Sequence, residues 1–182
     1  MTDPSPAELL SFWFSEAVKS KWFKPDDGFD AELRDRFGSW LSKAKRGELA
    51  HWAEQPDGAL ALIILTDQLS RNIHRGKPEA FATDPSALAT AKNAIAQGYD
   101  RRVLPERRPF FYLPYEHSED LADQETGVAL YEALGVEELL DYMLRHRAII
   151  ARFGRFPHRN VILGRISTPE EVEFLRQPGS SF

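Results

Sequence analysis

The 182-residue sequence contains no cysteine. Disulfides, thiolate metal ligands and cysteine nucleophiles are therefore excluded, which fits a reducing compartment. Long apolar runs are also missing, since the longest, at 59–65, is far shorter than the ~20 residues that span a bilayer. Residues 1–6 have neither the basic nor the apolar part of a signal peptide. We therefore expect a cytoplasmic protein that has no membrane partner.

Several catalytic signatures are absent as well. The sequence has no glycine-rich phosphate loop, no dinucleotide-binding glycine turn, no nucleophile elbow and no zinc-protease histidine pair. These absences disfavour nucleotide-binding folds and the common hydrolases, and we predict no cofactor. The net charge of −5 argues against a nucleic-acid partner.

The residues that are present predict a packed helical protein. Hydrophobic residues make up 42% of the chain, and they include four tryptophans and twelve phenylalanines. Capping boxes begin at Ser5 and Thr168, glycines follow the helical patterns, and no segment alternates as a strand would. We predict an all-α fold of one domain over residues 1–182. Its seven or eight helices should form antiparallel hairpins, similar to those of tetratricopeptide repeats.

The predicted helices cover most of the chain. They span residues 5–19, 29–44, 56–75, 85–97, 118–134 and 136–153, with a short helix from Pro157 and a last one from 169 to 175. Residues 99–117 contain three prolines and an aromatic run. We predict that this segment is an ordered loop packed on the core.

The first candidate site lies where the third predicted helix turns from apolar to polar. Asp67 and Arg71 are four residues apart there. One interpretation is an ion pair on a solvated face, which contributes roughly a few tenths of a kcal/mol. The other is a polar interior site, because charges are buried only when they are paired or bind a ligand. In the second interpretation Arg71 and Arg75 bind the ligand and Asp67 orients Arg71.

The second candidate is a cluster of five acids and one histidine at residues 116–125. The helix dipole favours acids at a helix N-terminus, which accounts for much of this cluster. A histidine with carboxylates can also transfer protons or bind a divalent metal. The spacing matches no metal signature, so we assign no metal ligands. The candidate catalytic residues are His117, Glu119 and Asp120.

The third candidate is a basic island, residues 145–165, with six arginines and no acid. Such an island needs internal carboxylates, a bound anion or water as its partner. Arg155, His158 and Arg159 surround the predicted helix start at Pro157, where backbone N–H groups also favour anions. His146 shares an apolar stripe on the preceding helix. The alternatives are internal pairing with the acids of 116–125, and a protein or nucleic-acid partner.

Seven segments of the sequence are specific enough to be compared with a known family. They are residues 12–14, 22–23, 67–76, 80–85, 110–120, 152–160 and 164–171. Together they resemble the bacterial family catalogued as domain of unknown function 924, over nearly the whole chain. The resemblance implies an all-helical fold similar to that of tetratricopeptide-repeat proteins, and no assigned activity. Ser70 and His74 depart from the family pattern, which often has proline and an apolar residue there.

These observations favour a protein that binds a small anionic or polar ligand in a pocket of arginine, histidine and carboxylate side chains. Arg155 and His117 should then face one accessible cavity. One alternative is a small-molecule hydrolase or lyase that uses His117 with a carboxylate. Another is a tetratricopeptide-like scaffold that binds protein partners.

Overall fold

The computed structural model describes residues 3–181. Every regular element in this range is helical and none is a strand, so the predicted all-α class is confirmed. Within the same range, no helix has the length and apolar character needed to cross a membrane. Residues 1 and 2, part of the segment predicted to lack a signal peptide, lie outside the described residues.

The described chain contains ten α-helical segments. They are α1 (Pro6–Trp13), α2 (Glu16–Lys19), α3 (Asp27–Lys45), α4 (Pro56–Ile64), α5 (Ser70–Ile73), α6 (Asp84–Ala96), α7 (Pro109–Glu116), α8 (Leu121–Leu134), α9 (Glu137–Phe153) and α10 (Pro169–Phe174). A π turn, Leu65–Leu69, joins α4 to α5. Five 3-10 turns lie between helices: Ala50–Glu54, Pro78–Phe81, Tyr99–Arg101, Pro105–Arg107 and Pro157–Arg159.

The contacts divide the chain into two compact units. The first unit comprises the chain up to Arg75 together with residues 79–114, and the second comprises residues 76–78 and the chain from Tyr115 onward. The single-domain organisation stays a prediction, as does the tetratricopeptide-like arrangement of the hairpins.

The first unit is built around α4, which packs against α1, α6 and the Ala50–Glu54 turn. Gly58 makes the last contact possible, because a Cβ at this position would overlap the backbone carbonyl of Trp52. Aromatic rings fill the space beside α1, where Trp13 is fully buried. The rings of Trp22, Phe29 and Phe110 have centroids 6.0, 6.4 and 6.1 Å from the Trp13 ring.

The helix boundaries differ from the sequence prediction at two places in the first unit. The predicted helix 5–19 breaks after Trp13, where the Ser15 backbone N–H and hydroxyl both bond to the carbonyl of Phe12. A side chain that forms a local hydrogen bond with the backbone competes with the backbone hydrogen bonds of the helix. The second difference is in residues 99–117, which were predicted to be a loop because they contain three prolines. Pro109 is the first residue of α7 rather than part of a loop, since proline fits the first turn of a helix.

The second unit contains a hairpin of α8 and α9, and Gly135 ends α8 with φ 74°. Gly127 lets the helices approach closely, because an added Cβ would lie 2.9 Å from the Met143 sulfur. The predicted fifth helix begins at Leu121 rather than after Ser118, because Asp120 is its N-cap. The Ser118 hydroxyl instead donates to the Asp123 carboxylate at 2.9 Å.

Candidate functional site

Asp67, which is buried, pairs with the partly buried Arg71 in the first unit. Asp67 is 1% exposed, and Nη1 of Arg71 donates to its carboxylate and to its backbone carbonyl, both at 3.0 Å. The same guanidinium donates to both carboxylate oxygens of Asp84, at 2.9 and 3.0 Å. The pair therefore lies in a polar interior rather than on a solvated face.

The π turn positions this pair. Asp67 lies in the turn, and the Gln68 amide donates to its carboxylate at 2.6 Å. Thr83, which precedes α6, donates from its hydroxyl to the carbonyl of Thr66 at 2.5 Å. This bond ties the π turn to the start of α6, so that Asp84, the first residue of α6, is held near Arg71.

Arg75 belongs to a separate network in the same unit. Its guanidinium donates to both oxygens of Asp30, at 2.5 and 3.0 Å, and the Asn72 amide donates to Asp30 at 2.8 Å. The hydrogen bond to Asp30 raises the pKa of Arg75. Each predicted arginine of the 67–75 segment therefore has its own carboxylate partner.

Arg71→Lys should lower the free energy of unfolding by about 1–2 kcal/mol, because lysine cannot reproduce the forked bonds that join Asp67 to Asp84. Urea denaturation at pH 7 measures this change. The matched control is Arg176→Lys, whose exposed pair with Glu173 is 3.0 Å long. An equal loss of stability in both variants would contradict the role given to Arg71.

In the second unit, arginines of the basic island pair with carboxylates. Arg155 forms a forked pair with Glu171 (2.6 and 2.8 Å), and Arg165 forms one with Glu119 (2.7 and 3.0 Å). Further pairs are Arg145–Asp141, Arg147–Glu125 and Arg152–Glu170. The internal-pairing alternative is thus realised, but its acids come from α9 and α10 as well as from residues 116–125.

Glu119 and Asp120, two of the candidate catalytic residues, have structural contacts. The Glu119 carboxylate accepts hydrogen bonds from Arg165 and from the backbone N–H of Phe156. Burial would raise the pKa of Glu119, but these bonds and the charge of Arg165 outweigh it and hold the pKa below its usual value. Asp120 caps α8 by accepting from the N–H of Ala122 at 2.7 Å. Their catalytic role stays a prediction.

Three other predicted residues of the second unit meet around one aromatic ring, that of Phe156. The Phe156 centroid lies 5.7 Å from the His146 ring, 5.6 Å from the His158 ring and 4.5 Å from the Arg159 guanidinium carbon. His117 joins them, because its ring is 6.3 Å from His146 and its carbonyl accepts from Arg159 at 3.1 Å. We call His117, His146, His158 and Arg159 the histidine–arginine cluster.

The charges of this cluster affect the pKa of His146, whose side chain is buried, with 4% exposed. Burial, followed by the positive charges of His117, His158 and Arg159, lowers the pKa of His146 to about 3. A carboxylate also approaches the ring, with Oε1 of Glu116 at 3.4 Å from Nδ1. At neutral pH the uncharged imidazole therefore lies among the Arg159 guanidinium, two further histidines and the Glu116 carboxylate.

No group of three or more histidine, aspartate and glutamate side chains within residues 3–181 is arranged to hold a metal ion. The predicted site residues divide between the two units. Asp67, Arg71 and Arg75 lie in the first, and the others lie in the second.

The sequence did not predict the central position of Phe156. The available signal was an aromatic residue inside a basic island, which requires burial.

Comparison with known proteins supports the resemblance. Residues 9–179 match the family described as bacterial protein of unknown function (DUF924). A solved structure, that of the protein of unknown function ATU0120 from Agrobacterium tumefaciens, is 44% identical with a TM-score of 0.89. The match covers 93% of this chain and 96% of that chain. No curated protein matches. The chain belongs to the bacterial family DUF924.

Proposed function

We propose that the second unit binds a small anion at the histidine–arginine cluster. The observation that carries this proposal is that the basic side chains of His146, His158 and Arg159 surround the ring of Phe156. The His117 ring lies beside that of His146. Arg159 is buried, and its guanidinium provides planar donors that match carboxylate or phosphate oxygens. Coulombic attraction to an anion is stronger at such a partly buried site than in bulk water.

Two other arginines of the island are held in place by contacts within the protein. Arg155 is held by the Glu171 carboxylate and by the carbonyl of Ile166, and Arg165 is held by Glu119. Each forked pair uses two donors of its guanidinium in a fixed geometry. The proposed site is therefore narrower than the sequence prediction, because Arg155 supports the fold near the cluster and does not contact the ligand.

The hydrolase or lyase alternative has less support from the contacts. Glu119 is engaged by Arg165, and Asp120 caps a helix, so neither is placed as a proton-transfer partner of His117. A base whose pKa is near 3, as that of His146 is, removes few protons at neutral pH. Binding without turnover therefore fits the geometry better.

Arg159→Met should weaken the binding of inorganic phosphate at least about tenfold, because methionine still packs on Phe156 but has no donors. Isothermal titration calorimetry of the whole chain at constant ionic strength measures this, after circular dichroism has verified the fold. Arg152→Met is the matched control, since Arg152 is half exposed and pairs with Glu170. Equal phosphate affinity in both variants, or no binding of phosphate or acetate to the unmodified protein, would overturn the proposal.

A further inference from the structure

The first unit contains a cavity of about 200 Å³ that is separate from the predicted site residues. It lies between the end of α3, the Ala50–Glu54 turn, α4, the π turn and α6. The residues that line it are Ala44, Gly47, Ala50, Ala53, Leu62, Thr66, Ser86 and Thr90. Leu62 and Thr66 are buried, whereas Gly47 and Ser86 are exposed. The cavity therefore has a buried floor and opens to solvent.

The wall of this cavity is mostly apolar, and none of the eight described residues that line it is charged. Five of them are alanine, glycine or leucine, and the other three are serine or threonine. An ion that entered would lose part of its hydration without meeting an opposite charge, which is costly. An enclosed apolar cavity of about 150 Å³ in another protein binds benzene. The size and the wall therefore favour a neutral ligand of one or two rings.

The three hydroxyl groups of the wall determine which polar group such a ligand carries. The Thr66 hydroxyl donates to the carbonyl of Leu62 at 2.7 Å. Ser86 donates to the carbonyl of Thr83 at 3.0 Å, and Thr90 donates to the carbonyl of Ser86 at 2.8 Å. Because a carbonyl oxygen only accepts, each hydroxyl proton is used by the backbone. A ligand that reaches one of these oxygens must therefore be the donor.

Thr66 is the best placed of the three acceptors. It is 3% exposed, so water competes less for its hydroxyl than for those near the mouth of the cavity. A hydrogen bond in such a buried environment is electrostatically stronger than one in water. Thr66 also lies in the π turn Leu65–Leu69, and π turns within helices occur frequently at functional sites.

We infer that this cavity binds a small neutral molecule that consists of an apolar ring system with one N–H or O–H donor. The apolar wall contacts the rings, and the Thr66 hydroxyl accepts from the donor. The site lies in the first unit and does not depend on the proposed anion site. Indole is a suitable probe, because its ring nitrogen only donates. Benzofuran has nearly the same size and shape, but an acceptor oxygen replaces the N–H group.

Titration of the ¹⁵N-labelled whole chain with each compound, followed by NMR, tests the inference. We expect indole to shift the amide resonances of Thr66 and Thr90 saturably. It should bind about fivefold to tenfold more tightly than benzofuran, the ratio that one hydrogen bond provides. No saturable shift with indole, or equal affinities for the two compounds, would overturn the inference. Tighter binding of N-acetyltryptophanamide than of indole would also overturn it, because the occupant would then be a side chain of a protein partner.

Two variants locate the binding within the cavity, after circular dichroism has verified their fold. Ala53→Leu should abolish the indole shifts because the larger side chain fills the space, whereas Ala89→Leu, at an exposed position of α6, should leave them unchanged.

Thr66→Val should remove the preference for indole over benzofuran. Thr126→Val is the matched control, since the Thr126 hydroxyl also donates to a carbonyl four residues earlier, at 2.9 Å, but lies in the second unit. Indole binding that survives Ala53→Leu, or a preference that survives Thr66→Val, would contradict the proposed site.

Discussion

Glu171→Gln is expected to lower the free energy of unfolding by about 2–3 kcal/mol, because a buried charged acceptor of several hydrogen bonds becomes a neutral amide with one acceptor fewer. The Glu171 side chain is 2% exposed and accepts hydrogen bonds from Arg155, from the N–H of Thr168 and from Asn160. Glutamine preserves the volume but replaces one acceptor oxygen with a donor and removes the charge. Urea denaturation at pH 7 measures the difference. Glu170→Gln is the control, since its exposed pair with Arg152 should contribute less than about 1 kcal/mol.

The stability contributed by Glu171 also depends on pH. The hydrogen bond from Arg155, aided by Thr168, lowers the pKa of Glu171 from 4.5 to about 2 in the folded chain. Because the folded pKa is below the unfolded one, this contribution is complete above pH 4.5 and is lost as the pH falls towards 2. Denaturation curves at several pH values should show a shallower acid loss for Glu171→Gln than for Glu170→Gln. Parallel acid profiles would contradict the assignment.

Gly58→Ala should destabilise the first unit by about 3 kcal/mol, since the added methyl group would overlap the carbonyl of Trp52 and force two backbone segments apart. Thermal or urea unfolding of the whole chain measures the effect. Gly38→Ala on α3 is the control of opposite sign. The nearest atom to its Cβ, Cγ of Arg34, is 3.9 Å away, so alanine should stabilise the helix by about 0.5–1 kcal/mol. Neutral behaviour at position 58 would show that α4 can move away from the Ala50–Glu54 turn.

Much of the fold follows from local chemistry that a sequence displays. The capping box at Thr168 predicts the start of α10, because its side chains bond to backbone groups within four residues. Gly135 and Gly154 predict the ends of α8 and α9 for the same reason, since only glycine adopts their left-handed backbone easily. Proline gives a weaker signal, because it both starts helices and interrupts them. That ambiguity explains why α7 was predicted to be a loop.

The candidate site was less predictable, because its partners are far apart in the chain. The sequence shows that the basic island needs acids, but it does not show that Arg155 pairs with Glu171 while Arg165 pairs with Glu119. Those pairings depend on how α10 and the start of α8 pack, which is a tertiary property. His146 was predictable as a residue on an apolar face. Its proton position was not, because it depends on the Tyr142 carbonyl and on burial.

The π turn at Leu65–Leu69 has a consequence for how related chains are aligned. A π turn spans one residue more than an α turn, so it acts as a single-residue insertion within a continuous helix. A relative with one residue fewer at this point can keep α4 and α5 on the same faces by closing the turn to α geometry. A one-residue gap at 65–69 therefore marks the loss of the turn, and with it the placement of Asp67, rather than a shift of the buried face.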